Sequence, residues 1–379
     1  MSKKLLLFFA TILILAAILP IPSSQASIKT PTVYSNKAIT IVAETGEVVY
    51  SKKGNYRDFP ASTTKVLTGL LLLEKLKPAD TITMTSRSLQ EERSNDQIIF
   101  KSGEKITRDE ALKILMLNSN NNIAYAIGQR ISGSVSKFAE LMNKRAKELG
   151  ATNSHFANAS GLPNSTHKTT AFDLAMITRE AIKQPLMVKA MSLTKTYVKT
   201  SRQKVLLTKS SSIYSNPNFL AAKTGYTKAA KNTLIQANKK NNITLIHVVL
   251  RSDKDKYAND IKLLDQYAFS KVKNIKLVDR STWKTNLTVL NQQIEGKVQT
   301  DIVIPTAFSS ASFKTKVILD PLNYENLFST GILPLQNLGR VEVYLKSKKM
   351  KQTNVVSSNA YTFNGDGLVI PASTQANSY

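Results

Sequence analysis

The sequence predicts an α+β fold followed by an all-β part, on three observations. A strand–turn–strand pattern, Ala38–Ala43 and Val48-Val49-Tyr50 around Glu44-Thr45-Gly46-Glu47, runs straight into a helix that is apolar on almost every face. Leu220–Thr227, Thr233–Ala237 and Ile243–Leu250 alternate or run apolar and read as three antiparallel strands. Beyond about Asn274 the texture changes to short, evenly spaced strands with turn signals between them: Leu287-Thr288-Val289, Ile302-Val303-Ile304, Lys316–Leu319 and Val341–Leu345.

The elements follow in order. The first helix opens at Pro60, which suits a first helical turn, and is closed by Pro78. Thr81–Thr85 alternates as a short strand, and Ser86–Gly103 is a polar excursion. Thr107-Arg108-Asp109-Glu110 forms a capping box, which predicts a helix from Arg108 to about Leu117. Asn118–Asn122 interrupts it, because asparagine and serine side chains compete for the backbone. The next helix is expected from Ile123 to about Ile131, leaving Ser119 and Asn121 on a rigid polar loop between two helices. Val135–Leu149 and Thr170–Ile182 are helical by period, Ser192–Ser215 is strand and turn, and Leu263–Phe269 is a closing helix.

With 379 residues, two domains are expected, at residues 27–272 and 273–368, with a loose tail over 369–379. Lys3 and Lys4, an apolar stretch from Leu5 to Leu19 and then Ser24-Gln25-Ala26 form the three parts of a signal peptide over residues 1–26, with cleavage after Ala26. The alternative is an uncleaved anchor; either way the working part is placed outside the cytoplasm, at the outer face of the membrane, in the wall or secreted. Absence of cysteine excludes disulfides, thiol catalysis and thiolate metal sites. His155, His167 and His247 are too scattered for a metal centre or a Ser-His-Asp triad and read as surface or satisfied core residues. No cofactor is expected. The net charge of +26 concentrates polyanions. For an exported chain these are anionic cell-wall polymers or the membrane surface. A solvated basic face with no particular partner is the alternative, and no motif suggests nucleic acid.

The chemistry gathers at Ser62-Thr63-Thr64-Lys65. Residues three apart share one helix face, so the Lys65 amine lies beside the Ser62 hydroxyl. A hydroxyl becomes a nucleophile when a base takes its proton, and a lysine is that base only if burial or other cations depress its pKa. Ser-x-x-Lys alone is weak, because this chain repeats it at Ser102–Lys105, Ser134–Lys137 and elsewhere. Two further motifs single out Ser62: Ser119-x-Asn121, and Lys223-Thr224-Gly225 on a predicted strand. At Gly225 the missing side chain allows another backbone, such as a substrate peptide, to approach closely. These three motifs in this order are the signature of penicillin-binding proteins and class A β-lactamases.

Together with the Thr45-Gly46 hairpin, Gly161-Leu162, Thr170-Ala171, Asp173 and Tyr226-Thr227, the chain from about Ala38 to Phe269 resembles the low-molecular-mass penicillin-binding proteins, serine-type D-alanyl-D-alanine carboxypeptidases of the peptidase S11 type. The resemblance implies a β-lactamase-like domain, an antiparallel sheet with helices on both faces plus an all-helical lobe, followed by a small all-β domain. It implies Ser62 as nucleophile, Lys65 as base and Ser119 as proton relay. Asn121 would hold the substrate backbone, and Lys223 and Thr224 would face its terminal carboxylate. The N–H groups of Ser62 and Tyr226, beside Gly225, would form the oxyanion hole, and Arg251 would be a further carboxylate ligand. The implied partners are peptidoglycan stem peptides ending in D-Ala-D-Ala, and β-lactam antibiotics. Members of the family commonly carry Asp where this chain has Asn122, and more often Asp at Glu44; no amphipathic helix is found after Val369. The competing readings are a β-lactamase, whose deacylating Glu-x-x-Leu-Asn-like element is missing between Ser119 and Lys223, and an inactive wall-binding homologue.

Overall fold

Strands β1 (Lys37–Val42) and β2 (Val48–Lys52) form the expected hairpin. In the computed structural model, which describes residues 28–91, 97–289, 292–321, 329–363 and 369–371, that hairpin leads into the main sheet. The signal peptide expected over residues 1–26 lies outside the described residues.

Pro60 does not enter the first helix. It precedes a tight turn, Ala61–Thr64, on which α1 (Lys65–Lys75) is built, and the helix ends before Pro78. Val66, Leu67, Leu70 and Leu71 are at most 1% exposed. Burying each contributes about 1.5–3 kcal/mol, which fixes the helix in the core. Strand β3 (Thr81–Thr83) pairs with β4 (Lys105–Thr107). The Thr107 hydroxyl accepts from the Glu110 N–H, but Glu110 does not return the bond. Its carboxylate accepts from Lys113 and from the Lys199 N–H, so half of the capping box forms. The helix α2 (Arg108–Lys113) then widens into a π-helical turn over Ile114–Asn118.

Helices α3 (Asn121–Ser132) and α4 (Val135–Glu148) complete a helical lobe, whose Ile114, Leu115, Ile123, Ile127 and Phe138 pack with the α1 leucines. After α5 (Ala171–Ala181) comes α6 (Pro185–Ser192), a helix not expected from the sequence, and then the hairpin β5 (Lys195–Lys199) and β6 (Lys204–Thr208). Strands β7 (Phe219–Thr227), β8 (Lys231–Lys240) and β9 (Ile243–Ser252) join β1 and β2 in one antiparallel sheet, ordered β2-β1-β9-β8-β7. Asn241 and Asn242, with φ of 50° and 61°, make the two-residue turn between β8 and β9. One face, with Ile39, Ile41, Ile235 and Val248, packs on α1 and α5; the other, with Ala38, Leu234 and Val249, packs on α7 (Tyr257–Lys271). All three histidines behave as expected of surface or core residues. His155 is exposed, His247 lies buried between Thr40 and Asp265, and His167 is buried against Thr64.

The remainder is all β: β10 (Lys273–Val278), β11 (Lys284–Val289), β12 (Gln292–Val298), β13 (Ile302–Thr306), β14 (Phe313–Leu319), β15 (Asn337–Leu345) and β16 (Lys348–Ser357). Five of them form a second sheet, β11-β12-β16-β15-β14, over a separate core that includes Ile294, Val341, Val343 and Val355. No linker separates the two cores, since α7 ends at Lys271 and β10 starts at Lys273. The buried Glu47 carboxylate accepts from the Thr306 hydroxyl (2.5 Å) and the Ala307 N–H (3.2 Å). The described residues from Pro31 onward therefore form one compact unit, in which the core of the second sheet is separate from those on the two faces of the main sheet. The tail expected to be loose from residue 369 instead begins with β18 (Val369–Pro371), paired with β17 (Tyr361–Phe363); residues 372–379 lie outside the described ones.

Candidate active site

Ser62 stands on the tight turn ahead of α1, and Lys65 on the first residue of that helix. Ala61 takes φ +50°, which turns the chain sharply before the serine. The turn fits because Gly161, at φ +84°, lies against it: a Cβ there would sit 1.8 Å from the Ala61 carbonyl oxygen. Gly225 serves the same turn from the other side. A Cβ on it would meet the Ser62 nitrogen at 2.7 Å. The backbone that approaches Gly225 is thus the chain's own Ala61-Ser62.

Lys65 is fully buried, and its Nζ makes three contacts: Ser62 Oγ at 2.8 Å, Asn121 Oδ1 at 2.7 Å and the Ser160 carbonyl oxygen at 2.7 Å. Burial pushes its pKa down to about 7. In the neutral amine, the two N–H bonds are taken by Asn121 and Ser160, which accept only, so the lone pair faces the Ser62 hydroxyl. The sequence suggested that a second lysine would depress Lys65 by repulsion. Burial is the cause here; the repulsion falls on Lys223, which is also fully buried and held well below the ordinary lysine range by burial first and then by Lys209 and Lys65.

The π-helical turn brings Ser119 into the left-handed conformation at φ +61°. A widened turn of this kind is common at functional sites. It aims the Ser119 hydroxyl at Lys223 Nζ, 2.8 Å away. Asn120 caps α3 through its Oδ1, and Asn121 is already the first residue of that helix rather than part of a loop. Asn122 explains the departure from Asp at its position. Its Nδ2 donates to the carbonyls of Ser88 (2.8 Å) and Glu91 (3.0 Å), which a carboxylate could not do.

A cleft of about 910 Å³ brings together Ser62, Ser119, Asn121, Thr224, Gly225 and Tyr226, with Lys65 and Lys223 buried beneath it. Arg251 does not line it. Its guanidinium is held by Asp58 (2.6 and 2.8 Å), which also takes Lys37. The cation that does reach Thr224 is Lys209, whose Nζ donates to Thr224 Oγ1 at 3.0 Å. Part of its stem is exposed, but the amine is tucked into the cleft wall, and that burial lowers its pKa to about 8. Sequence reasoning missed Lys209 because it lies in a Lys- and Ser-rich stretch with no motif of its own. Among the described residues no Asp or Glu lines the cleft, and no cluster of His, Asp or Glu could hold a metal ion.

Such a cleft serves acyl transfer through a serine ester, and its frame is that of the penicillin-binding enzymes. The family model described as D-alanyl-D-alanine carboxypeptidase, peptidase S11, matches residues 24–254. The carboxypeptidase DacF of Bacillus subtilis is 33% identical over 282 residues, covering 72% of this chain and 70% of that protein. A crystal structure of a D-alanyl-D-alanine carboxypeptidase from Mycobacterium tuberculosis superposes with TM-score 0.61 at 25% identity, over 65% of this chain and 95% of that one. The carboxypeptidase DacD of Francisella tularensis, at 21% identity and TM-score 0.61, covers 89% of this chain and 95% of its own, so it shares the fold into the β-rich part. The chain belongs to the D-alanyl-D-alanine carboxypeptidase family of serine hydrolases. Members of this family act on cell-wall peptidoglycan. No helix among the described residues is long and apolar enough to cross a membrane.

Proposed function

We propose that Ser62 is the nucleophile of a D-Ala-D-Ala carboxypeptidase that trims the terminal D-alanine of peptidoglycan stem peptides. The observation that carries this reading is the buried Lys65 amine, with a pKa of about 7, 2.8 Å from the Ser62 hydroxyl. Neutral Lys65 takes the Ser62 proton as Oγ attacks the carbonyl carbon between the two D-alanines. The N–H groups of Ser62 and Tyr226 stabilise the charge that develops on the carbonyl oxygen. The C–N bond breaks as Ser119, backed by Lys223, relays a proton: its hydroxyl proton goes to the departing amine and is replaced by the one Lys65 took from Ser62, which returns Lys65 to the neutral amine. Water then attacks the ester, Lys65 takes its proton, and Ser62 Oγ leaves as the hydroxyl. Asn121 holds the peptide backbone.

Thr224, Lys223 and Lys209 receive the terminal carboxylate. Lys223 and Lys209 are both short of a counter-anion, and the substrate brings one, which restores their charge on binding. β-Lactams enter by the same route and stop at the ester. Among the described residues no Glu or Asp lines the cleft, so none of them offers the carboxylate for the rapid deacylation a β-lactamase needs. Export through the leader, with cleavage after Ala26, would bring the enzyme to its substrate. The excess positive charge supports retention near anionic wall polymers or the membrane surface.

The test is mass spectrometry of the intact protein with penicillin and, separately, with a D-Ala-D-Ala peptide. The wild type gains one covalent adduct and releases D-alanine; Ser62→Ala does neither. An adduct on Ser62→Ala would move the nucleophile elsewhere.

A further inference from the structure

The cleft extends past the reacting groups. Beyond Tyr226 its wall is Thr227, Lys228, Ala229, Asn232, Lys254 and Tyr257. Lys228 and Lys254 are far apart in sequence but overhang the same end of the sheet. Strands β7 and β9 both run antiparallel to β8, and the register places Tyr226 opposite Asn232 and Asn232 opposite Ser252. The Asn232 amide donates to the Ser252 carbonyl (3.3 Å) and ties those ends together. Lys228 follows Thr227, the last residue of β7, and Lys254 comes two residues after the end of β9.

Both lysines are exposed, and neither has a partner among the described residues. The carboxylates beside Lys254 are turned to other groups: Asp253 accepts from the Tyr34 hydroxyl, and Asp255 pairs with Lys256. The lining therefore carries cations at both ends, Lys209 at one and Lys228 with Lys254 at the other, and no anion among the described residues.

A peptide whose carboxylate lies at Thr224 and whose reacting carbonyl lies between the Ser62 and Tyr226 N–H groups runs antiparallel to β7. Its upstream residues then pass Thr227 toward Lys228 at about 3.4 Å per residue. The residue immediately before the two D-alanines falls within side-chain reach of the second pair of lysines. We infer that Lys228 and Lys254 form a specificity subsite for a side-chain carboxylate on that residue, with the exposed ring of Tyr226 and the half-buried Tyr257 flanking its aliphatic stem. The inference rests on the carboxypeptidase reading and narrows it: the enzyme reads two carboxylates, one at each end of the cleft.

The test uses three synthetic peptides ending in D-Ala-D-Ala, identical except that the side chain of the preceding residue ends in a carboxylate, its amide or an ammonium group. D-alanine release gives kcat/KM for each. The carboxylate peptide is expected to exceed the amide by about fivefold, the size of effect two exposed ion pairs supply, with the ammonium peptide slowest. The gap is expected to close in the Lys228→Ala, Lys254→Ala double variant, whose folding is checked by its Tm, and at about 0.5 M salt. Equal rates on the three peptides, or a gap that survives the double variant, would overturn the subsite. Release from none of the three overturns the carboxypeptidase reading, and the subsite with it.

Discussion

If Lys65 is the base proposed above, its protonation sets the rate of acylation, which is open to direct measurement. Its Nζ is fully buried, and among the described residues its hydrogen-bond partners are all uncharged: the Ser62 hydroxyl, the Asn121 amide oxygen and the Ser160 carbonyl. Moving a lysine from 10.5 to about 7 amounts to roughly 5 kcal/mol against its charged form. With that pKa, about one lysine in ten is neutral at pH 6 and about one in a hundred at pH 5. The second-order rate of acylation by a fluorescent penicillin, followed from pH 5 to 9, is therefore expected to fall tenfold per pH unit below about 7 and to level off above it. The same shift appears in stability. Between about pH 7 and 10.5 the unfolded chain holds a proton on Lys65 that the folded chain has released, so stability rises with pH across that window. Lys223 and Lys209 act in the same sense. A flat acylation rate from pH 5 to 8 would refute Lys65 as the base.

Three further substitutions probe the frame. Gly161→Ala forces a Cβ into the Ala61 carbonyl oxygen at a positive φ, and a loss of about 3 kcal/mol or more is expected, seen as a fall in Tm together with loss of penicillin labelling. Asn122→Asp replaces two N–H donations with a carboxylate facing two carbonyls. It should cost about 2–3 kcal/mol in urea unfolding, and unchanged stability would show that the Ser88–Glu91 segment does not depend on it. Lys209→Ala should raise KM for a D-Ala-D-Ala peptide about tenfold or more, as expected for loss of a charged contact. Arg251→Ala should act instead on stability, by removing one of the two cations paired with Asp58. If the KM effect appeared in Arg251→Ala and not in Lys209→Ala, the assignment of the carboxylate site would be reversed.

The sequence by itself determined the local half of this protein. The three-residue spacing set Lys65 one turn from Ser62, the Thr107 hydroxyl set where α2 begins, apolar or alternating runs set β1, β7, β8 and β9, and the three motifs named groups that meet at one cleft. It read less well where local preference was weak: α6 went unnoticed, and α7 was expected at about half its length. Only the tertiary structure decided the environment of those groups. Ser119 and Lys223 are 104 residues apart, and Lys65 reaches Ser160 across 95; no periodicity encodes such meetings. Burial, which sets the Lys65 pKa, is a property of the packed core. The neighbour of Gly225, the capture of Arg251 by Asp58 and the arrival of Lys209 at Thr224 depend in the same way on which surfaces come together. Electrostatic chemistry depends on distance and solvent access, and a chain has neither until it has folded.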